Sequence, residues 1–416
     1  NSLTNAIWND GGKNTASQIT VNGDVNISMS GGYGGNGVAI QKSFRWGENS
    51  QESTASSAIT IHGNLKIAGE DSATWGIPVN QENVLSRFNN AGILTNIEKS
   101  KVTVTGDVDM AVYGNGITTN ARDSEVSIGG GHITVPQGTK YGYYTLGAYV
   151  GTINVNMNKE GSAAGTHDVQ LDGDVFALKS TGTINLGLTT KNSYLHGIVD
   201  NGGKVNMWLQ NGAVWTNEAK NTRYKQDDED VGNNEVSRVT VLRGGTKSGT
   251  SDTAGVIIQT ENSKSLTIDK FSGAVKVLYS HDSNTPTKIL GGDVTIGSAI
   301  RGAKIVLRTD YDDNMQSDAV KNQVLNALAE KLYYKNAVNG EKFLSGKVEI
   351  AEGLTASSAA KYIGNIAFNQ TNGQGSLGSG ETPEPPAEQS KTLFTSSMTG
   401  GDDKEYKDDH VWQDQV

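Results

Sequence analysis

The sequence predicts an all-β solenoid, a chain wound into short strands that stack on one another. Three observations carry that prediction: one strand–turn–strand phrase recurs, its copies lie at coil-like intervals, and the composition suits a narrow core. The phrase is clearest at residues 102–110, VTVTGDVDM, where Val102, Val104, Val108 and Met110 alternate with polar residues around Gly106-Asp107. Alternation of this kind points apolar side chains to one face of a strand and polar ones to the other. Glycine beside Asp or Asn supplies the turn, because glycine accepts positive φ and Asx side chains tolerate it.

The phrase returns as ITVNGDVNI at 19–27, ITIHGNLKI at 59–67, VQLDGDVFA at 169–177 and ILGGDVTI at 289–296. Val102 to Val126 is 24 residues, Val126 to Ile153 is 27, and Ile184 to Val205 is 21. Intervals in the twenties fit one circuit of a helical coil, with insertions looping outward. The longer steps from Gly23 to Gly63 (40) and from Gly63 to Gly106 (43) are coils carrying insertions. An antiparallel sandwich also uses short strands and glycine turns, but it explains near-identical phrases at these intervals less well. Coils of about 22 to 25 residues, each rising ~4.8 Å, would make the chain a rod on the order of 80 Å long.

Of 416 residues, 52 are glycine and only 6 proline; 35% are apolar and 6% aromatic. That supplies a slender core of small side chains in which each coil touches only its neighbours. The net charge of −10 excludes the basic footprint of a nucleic-acid binder. Cysteine is absent, so disulfides and thiolate metal sites are excluded. The first ten residues lack the charged-then-apolar pattern of a signal peptide. No stretch matches a membrane helix or the regular strands of a membrane barrel.

One segment departs from the strand pattern. In 317–334, Val320, Val324, Leu325, Leu328 and Leu332 recur at helical spacing after a capping Ser317 or Asp318. An amphipathic helix docked on the solenoid is expected there, and a short second helix near Thr355. Residues 1–370 form the solenoid on this reading. Residues 371–391, with Pro383, Pro385 and Pro386, read as a flexible connection. Residues 392–416 read as an acidic continuation that stops mid-protein.

With the repeated V-x-V-x-G-D-V phrase, the LQNGAVWTN segment at 209–217 and the stretch at 316–360 in hand, the chain resembles a monomeric bacterial autotransporter passenger domain of the pertactin-like class. The resemblance spans nearly the whole chain, and its motifs mark architecture more than activity. It implies a right-handed parallel β-helix at the bacterial cell surface, tethered by a C-terminal outer-membrane barrel that this chain does not contain.

Motifs for chemistry are weak. Gly32 to Gly37 match G-x-G-x-x-G, but a strand follows instead of the helix a dinucleotide needs. Asp310, Asp312 and Asn314 start like a calcium loop, yet Met315 and Lys321 stand where Gly and Glu belong. The acidic run Asp227 to Asp230 reads as a solvated loop. There is no serine-nucleophile phrase and no H-E-x-x-H pair. The enzymatic rival is a polysaccharide hydrolase or lyase with carboxylates on neighbouring coils. Asp107, Asp174 and Asp293 share one position in their phrases and are its candidates, although their repetition argues for turn chemistry.

For binding, Tyr141, Tyr143 and Tyr144 cluster in one turn-rich segment, and Trp46 and Trp75 each sit in an insertion. Tyrosine joins contact area to a polar tip, which suits recognition, although tyrosines on a strand also simply pack. Trp208 and Trp215 read as structural. The expected function is a surface adhesin, without catalytic residues or cofactor, that binds a host protein, a glycan or itself through loops on a rigid rod. A passive stalk displaying another domain is the third reading.

Overall fold

The computed structural model describes residues 4–10, 15–29, 35–41, 55–69, 91–137, 143–158, 162–178, 181–220, 236–245, 247–248 and 251–379. The fold is all-β with a single α-helix among the described residues, α1 (Asp318–Ala329). Successive strands fall into three columns, and within each column the pairing is parallel.

The first column runs from Thr4–Asn9 through Gly35–Ile40, Ala91–Thr95 and the start of Asn115–Thr134. It continues through the start of Tyr144–Val155 to Asp174–Ala177 and Val199–Asn201. The second begins at Gln18–Asn22 and passes through Ser57–His62, Ser100–Ala111, Gly182–Leu188 and Lys204–Leu209. It ends through Ser237–Arg243, Leu266–Ser272, Val294–Ala299 and Leu332–Tyr334. The third climbs from Val25–Met29 through Leu65–Gly69, Val169–Asp172, Tyr194–His196 and Val214–Thr216. It then passes through Gly255–Gln259, Ala274–Tyr279 and Ala303–Asp310 to Leu344–Ala351.

The intervals in the sequence are the observed registers. Val102 lies opposite Val126, Val126 opposite Ile153, and Ile184 opposite Val205. The side chains at these positions point inward and are fully buried. On the opposite face of the second column, Asn206 donates to Asn185 (2.8 Å), Asn185 to Asn154 (2.8 Å) and Asn154 to Ser127 (3.2 Å). A polar ladder and an apolar stack thus rise on the two sides of one sheet, as alternation requires. Insertions lengthen many rows. With the ends of Ser100–Ala111 and Asn115–Thr134 included, the eleven described rows of the third column therefore span on the order of 50 Å at ~4.8 Å per step, shorter than the rod expected from coil length alone.

The Gly-Asp phrases divide. The first three stack: Gly106 donates its N–H to the Gly63 carbonyl, and Gly23 donates to His62. A Cβ at Gly63 would lie 2.5 Å from the Gly23 carbonyl oxygen, and one at Gly106 would lie 2.6 Å from that of Gly63. Only glycine permits that approach. The other two phrases sit at different corners. Gly173 leads from the third column to the first, and Gly291-Gly292 precede a second-column strand. Asp107, Asp174 and Asp293 therefore do not line up.

Among the described residues the first column has no strand beyond Val199–Asn201, and other elements take its place between the third and second columns. These are a turn at 260–265, an antiparallel hairpin of His281–Asp282 with Thr285–Ile289, and then α1. The helix is capped by Ser317, whose hydroxyl accepts from the Val320 N–H at 3.3 Å. It buries Val324, Leu325, Leu328 and Ala329 against the hairpin and Leu344–Ala351. It stops at Ala329, because Leu332 and Tyr334 are drawn into a strand beside Val294–Ala299. The helix expected near Thr355 is instead a turn followed by strand Ala360–Phe368, antiparallel to Leu344–Ala351. Of the expected connection from 371, Gly375–Leu377 is a strand paired with Ile366 to Phe368. Residues from 380 onward lie outside the described residues.

Candidate functional site

The expected binding aromatics are packed wherever they are described. Tyr143 is 3% exposed, within the main core, with its ring 5.9 Å from that of Tyr113. Tyr144 is 7% exposed and stacks on Phe176 at 4.7 Å in a smaller apolar cluster that includes Tyr149. Neither presents its ring to solvent, because strand Tyr144–Val155 is buried on both faces over residues 144–149. Tyr141, Trp46 and Trp75 lie outside the described residues. Trp208 and Trp215 are buried, and Trp215 Nε1 donates to the Gly197 carbonyl at 2.9 Å.

The carboxylates weighed for catalysis serve three separate corners. Asp107 meets His167 Nδ1 at 2.8 Å on the surface. Asp174 is 1% exposed and accepts from the Ile198 and Lys220 backbone N–H groups. Asp293 lies 3.5 Å from Lys331. Asp312 caps the turn Asp313–Met315, and with Asp310 it flanks the buried ring of His281. Among the described residues no three His, Asp or Glu side chains are placed to hold a metal ion. The run 227–230 lies outside the described residues.

A cluster of titratable groups stands on the outer face of the third column. In Val169–Asp172, Val169 and Leu171 point into the core, so Gln170 and Asp172 point out. Asp172 lies opposite His196 on one side and Thr134 on the other; Gln170 lies opposite Tyr194 and His132. Neighbouring strands are ~4.8 Å apart, which brings three polar side chains within reach of one carboxylate. His132 Nε2 meets Asp172 Oδ2 at 2.8 Å, and His196 Nδ1 meets Oδ1 at 3.0 Å. The Tyr194 hydroxyl donates to Oδ2 at 2.8 Å. The Tyr194 and His196 rings stack 4.3 Å apart at 20°.

Partial burial raises the Asp172 carboxyl, and the bonds from His132, Tyr194 and His196 outweigh it, so the group titrates below the ordinary carboxylate range. Burial, reinforced by Asp172, pushes the Tyr194 phenol up to about 12. The phenol therefore stays protonated and remains a donor. Nearby, Asp168 is held low by hydrogen bonds from Thr190 and Asn192. The arrangement fixes two imidazoles and a phenol on a surface, with the carboxylate as their anchor.

Residue types alone did not single out this cluster, since its members are up to 64 positions apart. The step from Asp172 to His196 is 24 residues, the same coil interval that set the valine register. No family model, no curated protein and no solved structure matches the chain.

Proposed function

We propose that the chain is a right-handed parallel β-helix acting as a cell-surface adhesin of the autotransporter passenger type. The observation that carries this reading is the row-on-row parallel pairing of all three columns. Such stacking makes a rigid scaffold whose outward side chains form files along its length, and many weak contacts in a file add up to avidity. The half-exposed cluster around Asp172 supports a binding face more than a reaction centre, because both carboxylate oxygens are already bonded to neighbours. In this reading the ligand is a host surface protein, a glycan or a second copy. The protein works outside the cell and is held at the outer membrane by a barrel on another part of the polypeptide.

The test is adhesion of beads coated with the purified chain to epithelial cells and matrix proteins, together with a self-aggregation assay. Attachment in any arm, without release of reducing ends from polysaccharides, supports the adhesin. Reducing-end release that is lost in Asp172→Asn would replace it with a glycan-cleaving enzyme.

A further inference from the structure

We propose that the strip organised by Asp172 binds a neutral polysaccharide chain laid flat along the third column, an assignment that rests on the adhesin reading above. The strip is two files wide. One file runs Lys66, Asp109, His132, Gln170 and Tyr194; the other runs Thr134, Asp172, His196 and Thr216. The files stand on adjacent rows of a sheet, so hydrogen-bonding groups recur every ~4.8 Å along the stack.

Preorganisation is the first argument. His132, Tyr194 and His196 are oriented by one carboxylate before any ligand arrives, so little side-chain freedom is left to lose on binding. Each imidazole spends one nitrogen on Asp172. The other, Nδ1 of His132 and Nε2 of His196, has no partner among the described residues. The rings are 43% and 40% exposed, so these nitrogens are open to a ligand. Gln170 gives its amide N–H to the Asn192 carbonyl at 3.2 Å, which leaves its amide oxygen to accept.

Chemical matching is the second argument. Imidazole nitrogen, amide oxygen and the hydroxyls of Thr134 and Thr216 offer both donors and acceptors. Sugar hydroxyls both donate and accept. The stacked rings of Tyr194 and His196 add an aromatic surface for the C–H face of a sugar. Charge supplies the third argument. Asp172 stands in the strip and Asp168 beside it, Lys66 is already paired with Asp109 at 3.2 Å, and the chain carries −10, so a polyanionic glycan finds no unpaired lysine in the strip and is repelled where a neutral one is not.

The experiment is affinity gel electrophoresis of the full chain in gels containing dextran, yeast mannan, laminarin or xyloglucan, with polygalacturonate and heparin as polyanion gels. Retardation is expected in at least one neutral gel and in neither polyanion gel. His196→Ala and Gln170→Ala should each weaken it about five- to tenfold, the loss of about one hydrogen bond. Gln170 faces solvent, so its variant keeps the test valid should His196→Ala fail to fold, which circular dichroism would reveal. No neutral retardation, retardation only by polyanions, or retardation unchanged in Gln170→Ala overturns the assignment. If coated beads still adhere to cells when the neutral gels fail, the glycan strip falls and the adhesin reading stands. If adhesion fails as well, both fall.

Discussion

The earlier rows and the later rows solve the same packing problem differently. Up to Val199–Asn201 three columns of strands close around the core. Beyond it two columns continue, and a turn, a hairpin and helix α1 fill the third side in succession. The stack also differs at its two extremes. In the first row Ile7, Ile19, Val21 and Val25 are only partly buried. In the last row Leu332, Tyr334, Val348 and Ile350 are fully buried, because α1 and the antiparallel strand Ala360–Phe368 lie over them. The lesson is that a parallel stack needs a cover on every open side, and any element with an apolar stripe can supply it.

The comparison breaks first on truncations of the core. Trp215, just beyond Val199–Asn201, is fully buried and donates to the Gly197 carbonyl below it. Trp215→Ala should cost about 3–5 kcal/mol. Ile19→Ala, at the partly buried first row, should cost about 1 kcal/mol, since less apolar area is lost. Urea midpoints at constant slope measure both. Equal losses would mean that the first row is covered as completely as the middle.

A second, somewhat smaller effect belongs to the later rows alone. Arg308 is 4% exposed, pairs with Glu349 at 2.5 Å, and donates to the carbonyls of Thr355 and Ser358 at 2.7 Å. It ties the third column to the turn before the antiparallel strand. Arg308→Ala leaves the largely shielded Glu349 without its partner and should cost about 3 kcal/mol. Hydrogen exchange should rise first in Ala360–Phe368, while Gly182–Leu188 keeps its protection. Uniform deprotection would show that the two regions unfold as one unit.

The helix cap tests the covering role more gently. Ser317→Ala removes the hydroxyl that accepts from Val320 and should cost about 1 kcal/mol. The same urea midpoints report it. A loss well under half that value would mean that packing by Val324, Leu325 and Leu328 alone fixes the helix start.

Much of the fold was legible because alternation and period are local signals. The Val102, Val126 and Ile153 register, the stacked Gly23, Gly63 and Gly106, and the capped helix at 318 all follow from spacing. What failed were identities that local chemistry shares. Gly-Asp makes a good corner anywhere, so VQLDGDVFA and ILGGDVTI resemble the other copies while serving different corners. Leu332 fits a helical spacing and a short helix was expected near Thr355, but pairing with Val294–Ala299 and Leu344–Ala351 decided their state. Tyr143 and Tyr144 were chosen by type, and the structure packs both rings away from solvent, a placement that type does not encode. The Asp172 cluster stayed hidden because it exists only after rows are stacked.

The smallest effect compares one kind of contact, a phenol on a carboxylate, in the two regions. Tyr194 donates to Asp172 among the three-sided rows, and Tyr334 donates to Glu341 among the later ones. Burial first, and the carboxylate second, raise both phenols above their ordinary value, Tyr194 to about 12. A raised folded value means that the stabilisation is complete below about pH 10, the unfolded phenol's range, and is lost as pH rises toward the folded value. For Tyr194 the loss falls between about pH 10 and 12. At full weight it would be worth about 2.7 kcal/mol, and screening at a half-exposed site reduces it to about 1 kcal/mol. Urea melts from pH 9 to 12 should show a shallower decline in Tyr194→Phe than in the parent. Tyr334→Phe should flatten the curve more, because Tyr334 is fully buried. A parent curve that is flat over this range would show that neither phenol is held protonated by its neighbour. Equal flattening in the two variants would show that the later rows seal their polar contacts no better than the earlier ones.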